Sequence, residues 1–121
     1  MTEIRNSKQY DLEDRTLKFA KKVRNLVKKL NKTLTNIEDS KQLVKASGSV
    51  GANYIEANEA LSKKDFAMRA KICRKEAKES RYWLRLVDTG GNGELEQERK
   101  ELEDEAGELT HIFGSIVTKS K

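Results

Sequence analysis

Proline is absent from this sequence of 121 residues, and cysteine and histidine occur once each. Because proline removes a backbone hydrogen-bond donor and clashes with the preceding turn, its absence allows long uninterrupted helices. The lone Cys73 excludes an intramolecular disulfide and cannot by itself build a zinc site. We therefore expect a helical protein that needs no disulfide, metal or other cofactor and that works in a reducing cytoplasm.

Long apolar runs are also missing. No stretch approaches the roughly 20 apolar residues that a membrane-spanning helix needs, and the N-terminal residues do not have the pattern of a signal peptide. These absences predict a soluble chain with no membrane partner. Its length suits one domain around a single hydrophobic core.

Residues arranged for catalysis are lacking as well. No serine or cysteine lies at a motif spacing that would make His111 a catalytic base, and because His111 is the only histidine, the sequence cannot supply the two Glu-x-x-His pairs that a di-metal site needs. The glycine-rich loop at 90–93 follows a predicted helix instead of a strand and leads into Glu94, which would repel a phosphate. We therefore predict no catalytic residues, no metal ligands and no enzymatic activity.

Apolar residues recur at steps of three and four in four stretches, which is the spacing of amphipathic helices. The pattern predicts a flexible arm over residues 1–10 and helices over about 12–32, 35–61, 63–88 and 94–118. Thr35 and Glu38 have the form of a capping box, and Ser62 and Asn92 are candidate N-caps for the last two helices. The predicted fold is all-α, an antiparallel up-down-up-down four-helix bundle, with Leu61 as the last core residue of the second helix.

Glycine and a second apolar stripe suggest contacts beyond the core stripes. The small-residue segment 46–52 contains two glycines inside a predicted helix, and a closely approaching backbone would compensate for their cost. Gly107 and Gly114 lie seven residues apart on the side of the fourth helix away from the core, which suggests contact with another subunit. Ile72 and Trp83 lie beside the core stripe of the third helix and are also predicted to contact another subunit. We expect Trp83 to pack at the bundle edge or between subunits.

Charge is sorted among the four stretches. Residues 12–32 contain eight Lys and Arg against two Asp and Glu, and residues 63–88 contain nine against four, whereas acidic residues outnumber basic ones in the other two helices. Two interpretations of the basic faces are open. They can be ordinary solvated helix faces that also form weak ion pairs between helices, or they can bind the phosphate backbone of a nucleic acid. Tyr82, on the basic side of the third helix, could stack on a base.

Two segments carry a resemblance to a known family. Ala52-Asn53-Tyr54-Ile55-Glu56-Ala57 and Lys75-Glu76-Ala77-Lys78-Glu79-Ser80, the latter followed by Tyr82-Trp83-Leu84, resemble segments of the bacterial four-helix bundle proteins encoded by 23S rRNA intervening sequences. Those proteins are similar to the accessory protein of diversity-generating retroelements. The resemblance implies a barrel-like homopentamer that binds nucleic acid through basic surfaces and is not an enzyme. It also implies a structural role for Asn53, Glu56 and Glu79.

The favoured hypothesis is a non-enzymatic, oligomeric nucleic-acid-binding protein, with RNA preferred over DNA, that contacts backbone phosphates without reading bases. The predicted phosphate contacts are Lys18, Lys21, Lys22, Lys28, Lys29, Lys71, Lys75, Lys78 and Arg81. The alternative hypothesis is an assembly or adaptor protein whose basic faces bind an acidic protein partner or an acidic helix of a neighbouring subunit. Nucleic acid or a defined protein that co-purifies with the chain would distinguish the two.

Overall fold

The computed structural model describes the backbone of residues 7–120 and the side chains of residues 12–120. Four helices account for nearly all of this part of the chain: α1 (Ser7–Lys29), α2 (Leu34–Asn58), α3 (Lys63–Leu86) and α4 (Gly93–Lys119). Each helix packs on its neighbours in sequence, and α4 also packs on α1, so α1 lies diagonally opposite α3 and α2 lies opposite α4. The predicted all-α, up-down-up-down bundle is confirmed.

The core consists of one apolar stripe from each helix. Phe19, Leu43, Leu84 and Phe113 are completely buried, and the rings of Tyr54 and Phe113 meet edge to face with their centroids 5.6 Å apart, a favoured geometry for aromatic pairs. Cys73 lies in the same cluster, where burial raises the pKa of its thiol to about 12. The thiol is therefore protonated near neutral pH and is a poor nucleophile.

Two of the helix boundaries differ from the prediction in ways that have a physical cause. α1 begins at Ser7, so residues 7–10 of the expected arm are helical, and residues 1–6 lie outside the described part of the chain. α2 ends at Asn58 because the amides of Glu59 and Ala60 bond to carbonyls three residues back and close the last turn. Leu61 therefore lies in the connection to α3 and is 100% exposed, so its assignment to the core was wrong.

The N-termini of α2, α3 and α4 are capped by side chains. Ser62 and Asn92 accept hydrogen bonds from the amides of Asp65 and Leu95, as predicted, each at 3.0 Å. The cap of α2 is Thr33 instead of Thr35, because the Thr33 hydroxyl accepts the bond from the amide of Asn36 at 3.2 Å. The N-cap therefore lies two residues before the predicted one, and the predicted capping box of Thr35 and Glu38 was wrong.

Asn36 also ties two loops together at one end of the bundle. Its side chain is 2% exposed, and its amide nitrogen donates to the carbonyl oxygens of Asn31 and Asp88, both at 2.9 Å. Its amide oxygen accepts from the backbone N–H of Asp88 at 2.8 Å. Because a buried polar group is costly unless it is paired, this network holds the α1–α2 loop against the loop that follows α3.

The helix-interior glycines of α2 face α1. A Cβ atom at Gly51 would lie 2.9 Å from Oγ1 and 3.2 Å from Cβ of Thr16, whereas one at Gly48 would lie 3.3 Å from the end of the Arg24 side chain. Thr16 is buried and its hydroxyl bonds to the carbonyls of Leu12 and Glu13, so it cannot move aside freely. Gly51 therefore supports the close approach of α1 and α2 that the sequence predicted.

We expect Gly51→Ala to lower the free energy of unfolding and Gly48→Ala to leave it unchanged or raise it. Both substitutions gain about 1 kcal/mol of helix propensity, but the methyl group at 51 overpacks against Thr16 at a cost of about 1–3 kcal/mol. At position 48 the flexible Arg24 side chain can shift. Urea unfolding of the two variants measures the difference, and equal stabilities would show that Gly51 does not set the spacing of the two helices.

Candidate nucleic-acid interface

Six of the nine Lys and Arg residues of α3 lie in two rows along the helix. Arg74, Arg81 and Arg85 form the row that faces α4. The Arg74 side chain lies beside Gly114 and the Arg81 side chain beside Gly107, at 3.6 and 3.8 Å from the positions that Cβ atoms would take there. Arg81 and Arg85 each lie 3.7 Å from a carboxylate oxygen of Glu103. This row is therefore partly engaged within the chain.

Lys71, Lys75 and Lys78 form the second row, which we call the lysine row, on the outer side of the first. All three are exposed, and within the described residues no carboxylate oxygen lies within 4.0 Å of any of their ammonium nitrogens. Their spacing of four and three residues places them one above another on the helix surface. The next position in this pattern is Tyr82, so the lysine row ends at an aromatic ring.

A shallow depression of about 660 Å³ follows the lysine row. It is lined by Lys71, Arg74, Lys75, Lys78, Glu79, Tyr82 and Trp83. With four cations against one carboxylate, the depression attracts anions. It is open to solvent along its length, so it is suited to an extended ligand more than to an enclosed small molecule.

The lysines of α1 have different surroundings, because α4 presents glutamates to them. Between the two helices runs a groove of about 780 Å³ with a basic wall on α1 and an acidic wall on α4. Lys18, Lys22, Lys28 and Lys29 line the basic wall, and Glu98, Glu101 and Glu105 line the acidic one. Lys21 is exposed outside this groove.

Ion pairs connect the two walls of this groove. The Arg15 guanidinium donates to both carboxylate oxygens of Glu105 at 2.7 and 2.8 Å and to Glu108 at 3.0 Å. Lys29 lies 3.0 Å from a Glu98 oxygen. Of the nine predicted phosphate contacts, Lys29 and Arg81 therefore have an acidic partner within the chain, while the other seven have none among the described residues.

Glu103 is a buried charge that sequence analysis missed. It is 8% exposed and accepts a hydrogen bond at 3.0 Å from Arg99, which also donates to the carbonyl oxygen of Leu84. With Arg81 and Arg85 nearby, the carboxylate is surrounded by three guanidinium groups. The four-residue spacing of Arg99 and Glu103 was the available signal for such a pair.

The residues predicted at a subunit interface lie on two different faces. Ile72 and Trp83 are half-buried on α3, and Trp83 packs partly against the core. Gly107 and Gly114 lie on the α3 side of α4, where the arginine side chains described above cover them. Each glycine therefore has an arginine of the same chain beside it. Contact of the two glycines with another subunit stays a prediction.

The three polar motif residues also differ in their surroundings. Asn53 donates to the carbonyl oxygen of Ser49 at 2.9 Å and accepts from the Arg69 guanidinium of α3 at 3.2 Å, so it links α2 to α3. Glu56 and Glu79 are exposed. Neither has a hydrogen bond or an ion pair with another described residue, so the structure assigns them no bond between helices.

Other kinds of site find little support in the described part of the chain. No group of three or more His, Cys, Asp or Glu residues is placed to hold a metal ion there, and His111 is exposed on α4. None of the described helices is long and apolar enough to cross a bilayer.

The surroundings of Glu76 on α3 change the titration of its carboxyl. Burial raises the pKa of its carboxyl, and the neighbouring Glu79 charge raises it further, against the opposing effect of Lys75 and Lys45. The folded protein therefore binds this proton more tightly than the unfolded chain does. The contribution of this carboxyl to the free energy of unfolding is therefore fully present at low pH, and it is lost as the pH rises through the folded-state pKa.

Glu76→Gln should therefore give a small rise in Tm at pH 7, because it removes a carboxylate that the fold disfavours. The gain should disappear at a pH below about 4, where the unfolded-state carboxyl is also largely protonated. Thermal unfolding across this pH range measures the effect, with Glu56→Gln on the exposed face of α2 as control. A gain that persists unchanged at low pH would contradict the assignment to the Glu76 charge.

Comparisons with known proteins support one family. Residues 8–115 match the family described as 23S rRNA-intervening sequence protein. A similar solved structure is the crystal structure of a protein with unknown function from the S23 ribosomal protein family of Bacteroides thetaiotaomicron. The two chains are 30% identical, with a TM-score of 0.73 over 88% of this chain and 97% of that chain. Among curated proteins, none matches this chain.

Proposed function

This chain belongs to the 23S rRNA-intervening sequence protein family, and from that premise we propose that it is a non-enzymatic protein that binds nucleic acid, RNA in preference to DNA, through backbone phosphates. The observation that carries the proposal is the lysine row of α3, three exposed ammonium groups without an acidic partner among the described residues. Binding of phosphates to such groups releases condensed counterions, which favours association at low salt.

The two basic helices do not contribute equally to this proposal. Phosphates that approach Lys18 and Lys22 also approach Glu101 and Glu105 across the groove, and like charge opposes their binding. The depression on α3 contains a single carboxylate, that of Glu79. We therefore place the main contact on α3 and a weaker one on α1 at Lys21, which lies outside the groove.

Self-association would increase the effect of the lysine row. A homo-oligomer, such as the pentamer that the family resemblance implies, would carry one row on each subunit. Because α1 and α3 occupy opposite corners of the bundle, a short strand on one subunit cannot easily contact both, but strands that span neighbouring subunits gain from multivalency. Ile72, Gly107 and Gly114 stay the proposed interface residues, whereas Trp83, predicted at the bundle edge or between subunits, lines the depression beside the lysine row.

The alternative function, an adaptor for an acidic protein, makes use of the same cations. Electrostatic attraction alone does not separate an acidic protein from a nucleic acid, since both associations weaken with salt. Protein purified without nuclease separates them. Absorbance of nucleic acid in the purified sample supports the proposed function, and a defined protein partner in its place supports the adaptor.

Replacement of the lysine row with glutamine should weaken RNA binding. The variant Lys71→Gln/Lys75→Gln/Lys78→Gln loses three phosphate contacts, and we expect the slope of log affinity against log salt to fall by up to about 3. Binding of a short labelled RNA, measured by fluorescence anisotropy over a salt series, checks this.

The matched control is Lys41→Gln/Lys45→Gln/Lys100→Gln, which removes the same charge from exposed positions on α2 and α4. This control should retain most of the affinity and of the salt slope. Equal losses in the two triple variants would mean that only net charge matters, and no loss in either would remove α3 from the proposed interface.

A further inference from the structure

Tyr82 is an exposed aromatic side chain at the end of the lysine row. It is 58% exposed, and it belongs to neither the core cluster nor the residues packed directly against it. Its ring meets the ring of Trp83 edge to face, with centroids 5.1 Å apart and an interplanar angle of 76°. Because Trp83 packs partly against the core, it holds one side of the Tyr82 ring while much of the ring stays open to solvent.

The ring and the lysine row share one surface. Lys71, Lys75, Lys78 and Tyr82 are separated by steps of four, three and four residues, so they follow one side of α3 over about 16 Å. All four line the same depression. An extended chain that passes along the row with negative charges on the lysines therefore reaches the aromatic ring at its end.

We propose that this surface binds a single strand, with phosphates on the lysine row and one base stacked on Tyr82. This inference rests on the proposed function and specifies its ligand. A base inside a duplex exposes only its edges in the grooves, whereas an unpaired base can turn its face onto an aromatic side chain. A positive groove that follows the backbone, combined with an aromatic stacking platform, is the arrangement of proteins that bind single strands.

The lining of the depression also predicts little sequence preference. It contains no Asn or Gln, the side chains that pair with adenine, its lysines are the proposed phosphate contacts, and stacking tolerates any base because every base has a π-face. Glu79 is the residue in the lining that opposes phosphate binding, and the four cations around it outweigh its single charge. The ligand class is therefore single-stranded nucleic acid of mixed sequence.

Tyr82→Ala and Tyr82→Phe separate stacking from charge. We expect Tyr82→Ala to weaken binding of a short mixed-sequence single-stranded RNA about tenfold, which is within the range for loss of one stacked base. The salt slope should stay unchanged because no charge is lost. Tyr82→Phe keeps the ring and should bind like the unsubstituted chain. Since Tyr82 is largely exposed, both variants should keep the Tm of the parent, which serves as the control for folding.

The ligand itself supplies a second test. A blunt duplex of the same sequence should bind about tenfold more weakly than the single strand, and a single-stranded DNA of that sequence shows whether the sugar matters. Trp83 is the sole tryptophan of the chain, so its emission reports on the neighbouring ring. We expect a change in emission with the single strand and none with inorganic polyphosphate, which offers charge without bases.

The outcomes distinguish this inference from the proposed function. If Tyr82→Ala binds the single strand like the parent, or if the duplex binds equally well, stacking on Tyr82 is wrong while loss of binding in the lysine-row variant still supports the proposed function. If neither the single strand nor the duplex binds at low salt, both are wrong.

Discussion

Burial of one apolar stripe from each helix is the constraint on which the rest of this structure depends. A helix has a single rotation about its axis that turns such a stripe inward, because residues three and four apart share a face. Once Phe19, Leu84 and Phe113 lie in the core, the positions of the charged residues follow. The lysine row of α3 is exposed for that reason, and no separate interaction is needed to hold it outward.

Neighbouring helices then decide which cations stay available. α4 is rich in glutamate, and it packs beside both basic helices. On the α1 side its carboxylates pair with Arg15 and Lys29, and on the α3 side Glu103 draws in the arginine row. The lysine row lies beyond the reach of these groups. An acidic helix between two basic ones therefore leaves Lys18, Lys22 and Lys28 across a groove from its glutamates and the lysine row of α3 away from them.

Specific contacts adjust this bundle at a few points. Gly51 lets α2 approach Thr16, and Asn36 fastens one loop to another through bonds to Asn31 and Asp88. A Cβ atom at position 51 would crowd Thr16, and the buried Asn36 side chain would be costly without its hydrogen bonds. Gly51 sets the spacing of α1 and α2, and Asn36 holds the loops at one end of the bundle. The lysine row and Tyr82, proposed to bind nucleic acid, are exposed and contribute little to the core. Changes on that surface should therefore affect binding more than stability.

How much of this was predictable differs from one residue to another. The core stripes, the caps at Ser62 and Asn92, the need for glycine in α2 and the two basic helices all follow from periodicity and local chemistry, which act over a few residues and are visible in the chain itself. The core assignment of Leu61 and the cap at Thr35 were wrong because a shift of two or three residues costs little locally and is decided by packing at the helix end.

Sequence alone thus determined the four amphipathic helices and the side of each on which charge collects, because helical periodicity is a local property. Tertiary structure alone decided which carboxylate reaches which cation, that three guanidinium groups surround Glu103, and that Asn36 joins two loops. These residues lie far apart in the chain or belong to different helices, and their separations depend on how the helices are packed. The availability of the lysine row is a consequence of both.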